Sequence, residues 1–111
     1  MATVIDAHPA VLTPVSGICG AAVTGSDGEA VGTVAELMVE SASGRIVYAA
    51  VSVGGVLGIG EALYAVPWQA FQIAPVAGNF ALPFTRDEVV ATPAIDKDNW
   101  PIEANAALLP R

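Results

Sequence analysis

Apolar and polar residues alternate in part from Ala30 to Glu40. Val31, Thr33, Ala35, Leu37 and Val39 point one way, and Gly32, Val34, Glu36, Met38 and Glu40 the other. A period of two is that of a half-buried strand. From Arg45 to Val53 the pattern changes: Ile46, Tyr48 and Ala50 occupy one face while Val47, Ala49, Val51 and Val53 occupy the other. Both faces are apolar, which predicts a central strand covered on two sides. One cover is the domain interior; the other has to be the chain's own tail, a second copy, or both. Further strands are predicted over Ile18 to Thr24, Ala62 to Pro67, Phe71 to Ala74 and Phe80 to Phe84. Turn signals separate them at Gly25-Ser26-Asp27-Gly28, Ser41-Ala42-Ser43-Gly44 and Ala77-Gly78-Asn79. Thr85-Arg86-Asp87-Glu88 has the hydroxyl and acids that open a helix, which Pro93 closes after about two turns. Short strands with a single short helix predict an all-β fold, a small β-barrel with one short C-terminal helix.

The remaining segments set the boundaries. Residues 1–16 carry Pro9 and Pro14 without periodicity and read as a flexible N-terminal arm; 17–101 form the domain, and 102–111 a C-terminal tail. The 111 residues suit one domain. Cys19 is alone, so no intramolecular disulfide and no Cys/His zinc set forms, and one thiol fits a reducing compartment. The uncharged run from Ala62 to Thr85 is long enough to span a bilayer, but Pro67, Pro75, Pro83, Gln69, Gln72 and Asn79 interrupt it. Met1 to Pro14 holds no Lys or Arg and so lacks the basic start of a secretory signal. The expectation is a cytoplasmic protein without direct membrane insertion.

Charged residues are 14% of the chain and hydrophobic ones 54%, against roughly 25% charged in an ordinary soluble domain. A surface that apolar predicts a partner. The net charge of −7 sets nucleic acid and anionic membrane aside as that partner.

The candidate chemistries are few. Gly54 to Gly60 has the glycines of a phosphate cradle but no following Lys-Ser/Thr, and Glu61 would repel the anion. It reads as a wide hairpin. Asp96, Asp98 and Asn99 have the first spacing of a calcium loop, but Trp100-Pro101 follows where glycine and a distal Glu are needed. The acids read as a turn, with Trp100 anchoring the tail onto the barrel wall. His8 has no nucleophile near it and Cys19 no basic neighbour. Trp68 after Pro67 is a ligand platform or, more simply, a corner-packing aromatic. No catalytic, cofactor or metal residue is therefore expected.

A family resemblance rests on named residues. Gly20-Ala21-Ala22-Val23, Gly28 to Val34, Gly44 to Gly55, Leu57-Gly58-Ile59-Gly60-Glu61, Ala65-Val66-Pro67-Trp68 and Asp96-Lys97-Asp98-Asn99-Trp100-Pro101 resemble, in order and spacing, the PRC-barrel domains. The likeness runs from about Ser16 to Pro101. It implies a small, closed or nearly closed PRC-type β-barrel. In that family the module forms part of the H subunit of purple bacterial photosynthetic reaction centres. It also forms the half of a ribosome maturation factor that contacts a ribosomal protein, and it recurs as a stand-alone domain. No shared catalytic residue is implied.

The expected function is a non-enzymatic protein-interaction and self-association module, a homodimer or a partner of another protein. Its contact residues are Val47, Ala49 and Val51 on the two-faced strand, Val56, Leu57 and Ile59 in the glycine loop, and Trp100 in the tail. The alternatives are a small-molecule-binding barrel using Tyr48, Tyr64 and Trp68, or an adaptor subunit of a membrane-associated complex.

Overall fold

A computed structural model describes residues 12–55, 60–73 and 78–110. Most of the arm with His8, the loop residues Val56, Leu57 and Ile59, and Ala74 and Ala77 of the later turn lie outside the described residues. The elements run in the order α1 (Val15–Ile18), β1 (Ala22–Thr24), β2 (Ala30–Glu40), β3 (Arg45–Val53), β4 (Ala62–Pro67), a 3-10 turn (Trp68–Ala70), β5 (Gln72–Ile73), β6 (Phe80–Ala81), α2 (Arg86–Val90) and a second 3-10 turn (Ala106–Leu108).

The class is all-β, as the sequence predicts. One sheet carries the strands in the order β4-β3-β2-β1-β6-β5, with β1 and β6 parallel and every other pair antiparallel. The sheet is open. Among the described residues no ladder joins β4 to β5, because β5 and β6 have two residues each and consecutive β4 and β5 are turned apart by Trp68–Ala70. The outer edge of β4 is instead met by the C-terminal segment. Ile95 N–H donates to the Leu63 carbonyl at 2.7 Å, and Asn105 N–H to that of Ala65 at 2.9 Å.

The strands β2, β3 and β4 have the predicted limits, but the side assignment along β2 does not hold. Val31 is the extra residue against β1, between the pairs Val23↔Gly32 and Thr24↔Ala30, and Ala35 is the extra residue against β3. Each bulge moves the following side chains to the other face. The inward set is consequently Val31, Val34 and Leu37, while Thr33 and Val39 are exposed. At the chain's start, a helix replaces the predicted beginning of the first strand. The Pro14 carbonyl accepts from Gly17 N–H at 2.8 Å and from Ile18 N–H at 3.2 Å. Gly20, at φ +93°, then breaks the extended path before β1.

The core lies on one face of the sheet. Ala49, Val51 and Val53 of β3 meet Ala62, Tyr64 and Val66 of β4, with Ile18, Val23, Val34, Val89 and Leu108 closing over them. The predicted helix is present as α2, five residues long, with a full capping box. Thr85 Oγ1 accepts from Glu88 N–H at 3.2 Å, and the Glu88 carboxylate accepts from Thr85 N–H at 2.8 Å. Arg86 donates to the Gly54 carbonyl at 2.8 Å, tying α2 to the start of the glycine loop.

Candidate functional site

Tyr48, Ala50 and Ser52 form the second face of β3, beside Leu63, Ala65 and Pro67 of β4. All six are buried within the single chain. The tail supplies the ties on this side. Tyr48 Oη donates to the Pro101 carbonyl at 2.8 Å, and the Ile95 and Asn105 amides hold the β4 edge. Ser52 is satisfied by donating to the Glu61 carboxylate. Burial also pushes the Tyr48 phenol above its ordinary value of 10.0. Of the expected covers for the two-faced strand, the chain's own tail is therefore in place.

Where the tail crosses the end of the β2–β3 hairpin, the cover is incomplete. An open groove of ≈ 780 Å³ is left there, lined on the strand side by Met38, Val39, Glu40, Arg45, Val47 and Tyr48, and on the tail side by Trp100 to Ala104 and Leu109. Three of the large exposed apolar residues border it: Val39 at 47% exposure, Ile102 at 89% and Leu109 at 42%. The hairpin is held by its turn. Gly44 takes φ +77°, its N–H donates to the Glu40 carbonyl at 2.8 Å, and Ser43 Oγ donates to the Glu40 carboxylate at 2.5 Å. Register slips again here, between Met38↔Tyr48 and Val39↔Ile46, leaving Val47 unopposed and half-buried against the groove.

Of the predicted contact residues, the structure brings Val47 and Trp100 together in this groove. Ala49 and Val51 are 0% exposed and belong to the interior core. From Tyr48 onward β3 alternates as read, whereas the extra residue Val47 breaks the alternation before it. Pro101 of the tail meets the Tyr48 face, and the Ala49 face is the interior. Sequence reasoning missed Met38, Val39, Ile102 and Leu109. The one signal for the last two was a pair of large aliphatic residues in a tail flanked by Pro101 and Pro110.

The aromatic set proposed for a small ligand is divided. Tyr48 and Tyr64 lie on opposite faces of the sheet. Trp68 packs with Phe71, centroids 5.2 Å apart, and with Phe80 at 5.8 Å, as a corner aromatic does. The Asp96 loop is a turn: Asp98 N–H donates to the Asp96 carboxylate at 3.0 Å and Asn99 N–H to its carbonyl at 2.9 Å. Among the described residues no cluster of three or more His, Cys, Asp or Glu could hold a metal ion. No helix of the described residues is long and apolar enough to cross a membrane.

The model of the PRC-barrel domain matches residues 14–105. The chain belongs to the PRC-barrel domain family. The matched span takes in all six strands, α2 and the tail residues that bond to Tyr48 and to the β4 edge. In this PRC-barrel domain the match thus runs into the tail, to residue 105. No curated protein matches the chain.

Proposed function

We propose that this PRC-barrel domain is a non-enzymatic protein-interaction module whose contact surface is the groove between the β2–β3 hairpin and the C-terminal tail. The observation carrying this reading is the convergence of Val39, Ile102 and Leu109, three large apolar side chains left in water, on a groove floored by Met38, Val47 and Trp100. Clustered apolar exposure of this kind marks a surface meant to be covered. Self-association is the other expectation for such a surface. The two-faced strand β3 gives it little support, because the second face of β3 is buried within one chain.

The double variant Val39→Asp/Ile102→Asp tests the reading, since both side chains are exposed and the change should leave the fold intact. Affinity capture from the native host, run in parallel with wild type, should retain a protein on the wild type and lose it on the variant. A protein held equally by both, with circular dichroism unchanged, moves the contact surface away from the groove. Sedimentation equilibrium at micromolar concentration reads self-association directly, and a dimer abolished by the same variant would make a second copy the occupant.

A further inference from the structure

Building on that protein-binding reading, we infer that the groove takes a basic amphipathic segment of a different protein, with apolar side chains set into it and Lys or Arg over its rim. The apolar part follows from the floor. The basic part follows from charge. Glu40 and Glu103 stand at the rim against the single Arg45, and the whole chain carries −7 from 11 acids and 4 bases. A second copy would approach with the same −7. At the separations over which two domains meet, that repulsion opposes docking, whereas a cationic segment is drawn in. Trp100, a lining residue, adds the ring type that most favours a nearby cation.

A small molecule is less well served. Ligand pockets hold a few polar groups that fix orientation. The deep polar group here, the Tyr48 hydroxyl, already donates to Pro101, and no buried side-chain N or O among the described residues lacks a partner. The other polar residues at the groove, Glu40, Arg45, Gln69 and Glu103, are exposed at its margin and can follow an extended chain.

Two synthetic peptides of equal length provide the test, one alternating leucine with lysine and the other leucine with glutamate. Each is titrated into the full chain while the two tryptophan indole N–H resonances are followed by NMR. The lysine peptide should shift the Trp100 signal more than that of Trp68 and bind at least about tenfold tighter than the glutamate peptide, with the advantage falling as salt rises. Glu40→Gln/Glu103→Gln should cut lysine-peptide affinity several-fold and leave the glutamate peptide no weaker. Equal binding of both peptides at Trp100 overturns the charge assignment while leaving the protein-binding reading in place. No response at Trp100 to either peptide overturns the inferred occupant; if host-protein capture still depends on Val39 and Ile102, the protein-binding reading survives that loss. A micromolar dimer dissolved by Val39→Asp/Ile102→Asp replaces the basic segment with a second copy.

Discussion

At Gly32 the backbone of β2 passes so close to β3 that a Cβ would run into the Ser52 carbonyl oxygen, with the Ser52 carbonyl carbon 2.9 Å away. The obstacle is backbone in a paired strand and cannot swing aside. Gly32→Ala should therefore cost about 3 kcal/mol or more, toward the top of the range for overpacking. Gly54 provides the contrast: nothing among the described residues lies within 4 Å of its Cβ position and its φ is not in the left-handed region. Gly54→Ala should shift stability by less than about 0.5 kcal/mol, and urea midpoints of the two variants separate the cases. Tyr48 makes a second argument from one side chain. Its hydroxyl holds Pro101, so Tyr48→Phe should cost about 1 kcal/mol. Because burial raises the phenol above 10.0, the folded protein keeps this proton more tightly than the unfolded chain. That stabilisation is complete below the ordinary value and is lost as pH climbs through the folded one. Unfolding midpoints measured from neutral pH into alkali should fall less steeply for Tyr48→Phe than for wild type.

Among the elements, α2 is the one most directly written in the residue string. A hydroxyl at Thr85 and a carboxylate at Glu88 are the two halves of a reciprocal cap, and both bonds form. With only five residues the helix has little propensity to fall back on. Thr85→Ala should therefore lower stability by about 1 kcal/mol, with Thr85→Ser close to neutral, as read by thermal unfolding. The limits of β2, β3 and β4 were equally legible, because glycine- and serine-rich turns bracket long apolar runs. The faces of β2 were not. Period-two reading assumes an unbroken ladder, and the extra residues Val31 and Ala35 leave no mark in the alternation. Gly32, beside the first of them, was the available hint, since a glycine inside a strand often marks a bulge or a close backbone approach. The four residues of α1 are too few for any helical period to register, and only Pro14 ahead of them pointed to a change of direction. The groove was half legible. Val47 and Trp100 were named from apolarity alone, but which face of β3 lies inside depends on where the tail lands, and no local pattern carries that.

For the molecule as a whole, the tail decides what is surface and what is core. Leu108 and Leu109 are sequence neighbours with opposite fates: Leu108 is 1% exposed and joins the core cluster, while Leu109 is 42% exposed at the edge of the groove. The 3-10 turn Ala106–Leu108 that ends on the first of them is fixed by Asn105, whose side chain accepts from Ala107 N–H at 3.0 Å and whose own N–H reaches Ala65. Leu108 packs on the interior, Ala49 side of the sheet and so pins the end of a tail whose Pro101 lies against the second face of β3. Leu108→Ala should cost about 2–5 kcal/mol, the range for truncating a buried leucine, and Leu109→Ala less than about 1 kcal/mol. The larger consequence concerns association. If the anchor is lost and the tail lifts, Tyr48, Ala50, Leu63 and Ala65 come into water as one apolar face on strands that are no longer roofed. Sedimentation equilibrium should then show Leu108→Ala with a higher apparent mass than wild type at the same micromolar concentration, and Leu109→Ala unchanged or lower. Amide exchange should quicken in Leu108→Ala at Ile95 and Asn105, whose N–H groups make the bonds to β4. An unchanged mass with slow exchange at those two amides would mean that the tail is held by Tyr48 and the β4 edge alone, and that Leu108 only fills space in the core.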